Sequence, residues 1–102
     1  MNKYFKMTKI LCSAILVDND LEYEHQPRNI SSGFVVCGMR HHNCFTVLAQ
    51  TDIEYKGMTV QGFLTVNNNF VTREEAGIIA LMSKQIEKLS YHNTKLYSED
   101  LY

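Results

Sequence analysis

The chain lacks several features that mark obvious protein classes. It has one proline in 102 residues, no internal repeat, and no apolar run near the roughly 20 residues that a membrane span needs. The net charge of −1 and the pI near 6.4 argue against binding to a nucleic-acid duplex, which normally needs a basic stripe. The composition, 45% hydrophobic and 21% charged, indicates one globular domain over residues 1–102. We therefore expect a cytoplasmic protein without a membrane segment.

Cysteine is also scarce. Cys12, Cys37 and Cys44 form no CxxC motif, and any disulfide scheme leaves one of them over. In a cytoplasmic chain we expect all three to be reduced thiols of the core.

The histidines and cysteines do not favour a metal or a nucleophile. His25, His41 and His42 are the available imidazole ligands, but adjacent histidines on a helix point about 100° apart. Cys44 lies three residues after His41, yet no third group that would orient such a pair is evident. We expect no metal, no cofactor and no catalytic residue.

The first third of the chain predicts strands. Residues 9–17, KILCSAILV, are rich in β-branched and aliphatic side chains and predict a buried strand. Residues 18–20 are a turn cluster, and residues 21–25 alternate apolar and polar side chains, which predicts a return strand. We expect these segments to form a β-hairpin that ends at Pro27.

The rest of the chain predicts two more strands and two helices. Strands are predicted over residues 33–37 and 58–66, and a helix over residues 40–50. A second helix begins at Thr72, with Glu75 completing a capping box, and runs to about Ile86. The sum is an α+β fold: a small, mostly antiparallel sheet with two helices on one side. We expect the tail, residues 96–102, to dock, and the domain to gain stability as a homo-oligomer.

The sharpest polar cluster follows a buried strand. After Gly38 the chain presents Arg40, His41 and His42 on the first turn of the predicted helix. Cationic donors at a strand end, beside unpaired helix N–H groups, are suited to phosphate. The alternative is structural: one histidine bonded in the interior and a solvated arginine.

Two other segments carry candidate ligand-binding residues. Arg73 lies at the start of the second helix, where it either pairs with an anion or is simply solvated. Gln61 and Phe63 flank Gly62, where they either place an amide and an aromatic face beside a base or belong to an ordinary strand. Gly62 itself suggests a bulge or a close approach by another group.

An ordered set of segments carries a family resemblance. It comprises HQP at residues 25–27, GFVVCGMRHHNCF at 33–45, QGFLT at 61–65, FVTREEA at 70–76 and LYSEDLY at 96–102. Together they resemble a group of small phage and prophage proteins, and within it the first-described Thoeris anti-defence sponges. Those proteins bind and sequester the cyclic ADP-ribose signal of bacterial TIR enzymes without cleaving it.

The resemblance implies a non-enzymatic phage anti-defence protein of the host cytoplasm. It implies dimers or larger rings, with a cyclic ADP-ribose-type nucleotide bound at the subunit interface. Donors for the pyrophosphate and an aromatic surface for adenine are then expected among Arg28, Arg40, His41, His42, Gln61, Phe63, Phe70 and Arg73.

Two departures from the family pattern bear on that pocket. Met39 replaces an expected basic residue, and Lys84-Gln85 replaces a usual Gly-Gln, so we expect a weakened or retuned pocket. The alternatives are an enzyme that acts on an ADP-ribose-type nucleotide through a histidine, and an inhibitor that binds a host protein.

Overall fold

Within the described part of the chain, four strands form one antiparallel sheet, which three helices accompany. The structure is a computed structural model that describes residues 8–90 and 94–102. The elements are β1 (Ile10–Val17), β2 (Phe34–Gly38), α1 (His41–Ala49), β3 (Thr59–Thr65), β4 (Phe70–Thr72), α2 (Arg73–Met82) and α3 (Ser98–Leu101). Their spatial order in the sheet is β2-β1-β3-β4. The α+β prediction is confirmed, and β1, β2, β3 and α1 each agree with their predicted bounds within one residue.

The predicted hairpin at the start of the chain is wrong. β1 lies inside the sheet and pairs with β2 along one edge and β3 along the other. Both of its edges are therefore occupied, so residues 21–25 cannot pair with β1 to form the predicted hairpin. They are exposed and form no strand.

The connection between β1 and β2, residues 18–33, instead bonds the two outer strands. The side-chain oxygen of Gln26 accepts a hydrogen bond from the Val35 N–H on β2 (2.8 Å). Asn29 accepts from the N–H of Phe70 on β4 (2.8 Å) and donates to its carbonyl (2.6 Å). These bonds satisfy backbone groups at sheet edges, which would otherwise be open for pairing.

Both longer helices pack on the same face of the sheet. Alternation along the paired strands puts Ile15, Phe63 and Val71 on that face. Under α1 lies a cluster of Ile15, Val17, Cys44 and Leu48, and under α2 a cluster of Ile10, Phe63, Val71, Ala76, Ile79, Ala80 and Leu96. Leu96 is fully buried, so the segment that follows residue 93 docks as expected.

The second helix has well-defined ends. Thr72 accepts from the Glu75 N–H (3.2 Å) and Glu75 accepts from the Thr72 N–H (2.9 Å), which confirms the predicted capping box. The helix ends at Met82 rather than near Ile86. Lys84 adopts φ +63°, and the Gln85 N–H reaches back to the Ala80 carbonyl (2.9 Å). This is a Schellman motif, and Lys84 occupies its left-handed position, where glycine is the usual residue.

Gly62 allows β3 and β4 to approach each other closely. A Cβ atom there would lie 2.1 Å from the Val71 carbonyl oxygen and 2.7 Å from Cζ of the Phe70 ring. The expected close approach is confirmed. β4 was not predicted, because it has only three residues and the last of them, Thr72, is already the N-cap of α2.

No helix within residues 8–90 and 94–102 is long and apolar enough to cross a membrane.

Candidate functional site

The start of α1 is a positively polarised corner of the fold. Arg40 is its N-cap residue, and Asn43 accepts from the Arg40 N–H through Oδ1 (3.0 Å). No acidic residue occupies the first turn. The positive end of the helix dipole is therefore not offset by a carboxylate of its own helix. The Arg40 guanidinium donates to the main-chain oxygen of Tyr102, which ties this corner to the last described segment.

His41, the first residue of α1, connects that corner to the sheet. Its side chain is buried, and Nε2 lies 2.7 Å from the Gly62 carbonyl oxygen. Its ring meets the edge of Phe63 at 5.0 Å between centroids, with planes at 84°. Nδ1 lies 3.5 Å from Nη2 of Arg73, at the start of α2. The starts of the two long helices thus meet at one imidazole.

The two partners of His41 determine which nitrogen carries the proton. A carbonyl can only accept, so Nε2 donates to Gly62, and a guanidinium can only donate, so Nδ1 presents its lone pair to Arg73. Burial, followed by the nearby charge of Arg73, lowers the pKa of His41, although the Gly62 carbonyl and Glu99 oppose this. The expected cationic histidine is thus a neutral group that connects two elements.

Arg73 is the centre of the site. Its Nη1 donates to the Leu96 carbonyl (2.9 Å) and its Nη2 to Oε1 of Gln61 (2.7 Å). The guanidinium carbon lies 4.4 Å from the centroid of the Tyr97 ring, a cation–π contact. Burial lowers the pKa of Arg73, yet a guanidinium stays protonated in a protein. One charged side chain therefore joins α2, β3 and the C-terminal segment.

The C-terminal segment is held in place by its own short helix. The carboxylate of Asp100 accepts from the N–H groups of Tyr97 (2.9 Å) and Ser90 (3.0 Å). Burial acts to raise the pKa of Asp100, but these hydrogen bonds hold it below its usual value. The Tyr102 hydroxyl donates to the Leu11 carbonyl (3.0 Å). Asp100 thus has a local capping role.

The structure brings some of the predicted ligand-binding residues together and separates others. Four of them are joined by a chain of contacts that runs from Phe63 to His41, from His41 to Arg73 and from Arg73 to Gln61. Arg40 and His42 lie on the same first turn of α1, Arg40 half-buried and His42 exposed.

The two remaining residues lie apart from that group. Arg28 is exposed, and its main-chain N–H bonds the carbonyl of Asn68 at the β3–β4 turn (2.9 Å). Phe70 is buried on the face opposite the helices, with its ring against Gly62. Phe63 is also fully buried, so neither ring presents an open face in this chain.

Sequence reasoning missed the partners that organise the site. Tyr97, under the Arg73 guanidinium, belongs to the segment predicted only to dock, and aromatic residues there were the available signal. The carbonyls that bond His41 and Arg73 belong to the backbone of Gly62 and Leu96, so no side-chain pattern in the sequence indicates them.

The two segments in which we expect departures from the resembled proteins lie in different places. Met39 is exposed beside Arg40 at the corner. Lys84 lies instead in the helix stop, and Gln85 bonds the backbone of Ile10 through both ends of its amide (2.7 and 2.8 Å). The second departure therefore concerns the end of α2.

The cysteines differ sharply in environment. Cys44 is fully buried and contacts the carbonyl oxygens of Arg40 (3.6 Å) and Ser13 (3.8 Å). Burial raises the pKa of Cys44 to about 11, which makes it an inert core thiol. The expectation of a core thiol is wrong for Cys37, which is exposed on β2. Across residues 8–90 and 94–102, no group of three or more His, Cys, Asp or Glu side chains gathers as a metal site would require.

Comparison with known proteins identifies the family. Residues 9–102 match the family described as Phage T4 y16D protein. No curated protein and no solved structure matches the chain. Since the match covers all but the first eight residues, the chain belongs to the phage T4 y16D protein family.

Proposed function

We propose that this phage protein binds and sequesters a cyclic ADP-ribose-type nucleotide, the signal of TIR enzymes, and so blocks Thoeris defence in the host cytoplasm. The observation that carries the proposal is the meeting of the α1 and α2 starts at His41 and Arg73. The resemblance of the sequence to anti-defence sponges supplies the nucleotide class.

The first turn of α1 provides donors suited to a pyrophosphate. The N–H groups of the first two residues of a helix have no partner within the helix, whereas that of Asn43 in α1 bonds the Arg40 carbonyl (3.0 Å), and no acidic residue lies on this turn. Arg40 and the exposed His42 add side-chain donors on the same turn. An anion placed there gains from the helix dipole and from charge-assisted hydrogen bonds.

Arg73 adds positive charge that its own contacts do not cancel. Both oxygens that it bonds are neutral, the amide of Gln61 and the carbonyl of Leu96. The exposed carboxylates of Glu99 and Glu74 lie near enough to offset part of this charge. A phosphate oxygen is a stronger acceptor for a guanidinium than either neutral oxygen, so it competes favourably for the Arg73 donors.

A second copy of the chain completes the site in this proposal. A dinucleotide-sized ligand is normally held in a cleft of roughly 300–1,000 Å³, with most of its surface covered. Phe63 and Phe70 are buried within one chain, whereas Tyr102 beside Arg40 is 45% exposed. We therefore assign the ligand to an interface between subunits, with Arg28 of one copy available to the other.

The chemistry at the corner favours binding over catalysis. Both nitrogens of His41 are engaged, one by a carbonyl and one by a guanidinium, so the ring is poorly placed to shuttle protons. The Cys44 thiol is buried, and its raised pKa keeps it protonated at neutral pH. Neither group offers an activated nucleophile.

The test is a capture-and-release experiment. The protein is incubated with cyclic ADP-ribose isomers, separated from free nucleotide and heated, and the released material is analysed by chromatography. Intact cyclic nucleotide in stoichiometric amount supports sequestration. A linear product would instead identify an enzyme. Absence of uptake for every isomer would leave an inhibitor directed at a host protein.

A pair of variants tests the site assignment. Removing a charge-assisted bond costs about 1.5–3 kcal/mol, so Arg40→Ala is expected to weaken capture about 10- to 100-fold. Lys56→Ala removes the same charge from an exposed loop residue remote in sequence from the corner, and is expected to leave capture unchanged. Wild-type affinity in Arg40→Ala would refute the assignment.

A further inference from the structure

Two cysteines lie side by side on one face of the sheet, away from the helices. Cys37 on β2 is directly opposite Ala14 on β1. Cys12 lies two residues before Ala14, so both cysteines point to the same face and are diagonal neighbours across the strand pair. Cys44 belongs to α1 on the other face, where it packs in one cluster with Ile15.

The three thiols have unequal access to solvent. Cys37 is exposed, Cys12 is half-buried, and Cys44 is fully buried. A disulfide reagent in solution therefore reaches Cys37 first and Cys44 last.

The Cys12 thiol activates its neighbour. A hydrogen bond from Cys12 lowers the pKa of Cys37 to about 7, although burial opposes this. At neutral pH Cys37 is then a thiolate, the nucleophilic form, in about half of the molecules. The pKa of Cys12 is raised, first by this hydrogen bond, then by burial and by the charge on Cys37. Cys12 therefore stays protonated while Cys37 is a thiolate.

We propose that Cys37 is a modification site for low-molecular-weight disulfides and that Cys12 resolves the adduct into an intramolecular disulfide. The proposal rests on the cross-strand placement of the two thiols and is independent of nucleotide binding. The co-reactant belongs to the class of oxidised glutathione.

The reaction is two successive thiol–disulfide exchanges. In the first, the Cys37 thiolate attacks one sulfur of the reagent, the reagent's S–S bond breaks, and one thiolate leaves and takes a proton from water. In the second, Cys12 loses its proton to solvent, attacks the Cys37 sulfur and expels the second reagent thiolate. Two protein thiols are oxidised and one small disulfide is reduced to two thiols.

Formation of the adduct itself prepares the second step. The Cys37 charge and its acceptance of the hydrogen bond both raise the pKa of Cys12. Both vanish once Cys37 is bound in the mixed disulfide, so the pKa of Cys12 falls at the point where it must act as a nucleophile.

Alkylation with iodoacetamide tests the first step. Rates are measured from pH 5.5 to 9 by peptide mass mapping, with Cys44 as the internal reference. We expect Cys37 to be alkylated fastest, with a half-maximal rate near pH 7. In Cys12→Ala, which removes the hydrogen-bond donor, the midpoint shifts toward the ordinary thiol value, and the rate at pH 7 falls about threefold once the weaker nucleophilicity of a low-pKa thiolate is allowed for. Equal labelling of Cys37 and Cys44 would overturn the proposal.

Oxidised glutathione tests the second step. The wild-type protein should lose the mass of two hydrogens, with Cys12 and Cys37 joined in one peptide pair, and dithiothreitol should reverse this. Cys12→Ala should stop at a glutathione adduct on Cys37, and Cys37→Ser, altered at an exposed position, should react at neither residue. A stable adduct in the wild-type protein, or no reaction at Cys37, refutes the assignment. Urea unfolding of both variants checks that they are folded.

Discussion

Replacing His41 by alanine tests the central contact of the site. The substitution removes the hydrogen bond to the Gly62 carbonyl and the edge-to-face contact with Phe63. The carbonyl belongs to a buried residue, so its loss of a partner costs about 1–3 kcal/mol. The aromatic contact is worth about 0.5–1.5 kcal/mol. We expect His41→Ala to lower the free energy of unfolding by about 2–4 kcal/mol.

The same residue predicts a pH dependence. Because the pKa of His41 is lower in the folded state, the unfolded state binds more protons just below pH 6.5. The free energy of unfolding of the wild-type protein therefore falls as the pH drops from about 7 through 6.5 toward the folded pKa. One proton limits the slope to about 1.4 kcal/mol per pH unit. His41→Ala removes this contribution, so its penalty should shrink in acid.

Urea unfolding between pH 5 and 8 measures both effects, and the difference between wild type and variant cancels the other titrating groups. For a domain of this size, 2–4 kcal/mol corresponds to a decrease in melting temperature of about 10–25 °C. His42→Ala is the matched control, since His42 is the exposed neighbour on the same turn, and it should change stability by no more than about 0.5 kcal/mol. Equal losses in the two variants, or a pH-independent difference, would refute the role assigned to His41.

Three further substitutions test elements around the site by the same unfolding assay. Gly62→Ala should cost at least about 2 kcal/mol, because its Cβ would lie 2.1 Å from a backbone oxygen of β4; a neutral outcome would mean that β3 and β4 separate easily. Thr72→Ala should cost about 1 kcal/mol through loss of the helix cap, and an unchanged midpoint would argue against the capping box. Lys84→Gly should instead stabilise the fold by about 0.5–1 kcal/mol, because glycine adopts φ +63° without strain. Destabilisation by Lys84→Gly would contradict the assigned helix stop.

The accuracy of the strand predictions depended on what each segment could pair with. Residues 9–17 and 58–66 predicted β1 and β3 because their runs of aliphatic and β-branched residues fit a buried sheet whatever its order. Residues 21–25 have an equally good alternating pattern, but β2 and β3 occupy both edges of β1. Competition for an edge depends on distant segments, so no local pattern reveals it.

The site was predictable to a similar extent. The sequence alone placed Arg40, His41 and His42 at a helix start after a buried strand, and Arg73 beside a capping box. The contact between His41 and Arg73 joins residues 32 positions apart, and it forms only because α1 and α2 lie on one face of the sheet.

What the sequence by itself determined is local: strands β1, β2 and β3, the capping box at the start of α2, and which residues could donate to an anion. These follow from side-chain periodicity and capping chemistry within a few residues. Tertiary structure decided the charge state of His41, because burial and the nearby guanidinium lower its pKa. It also decided that Arg73 lies on the Tyr97 ring, and that Cys37 is paired with Cys12 while Cys44 is buried. Each of these depends on a neighbour brought from elsewhere in the chain, and the order of strands in the sheet supplies that neighbour.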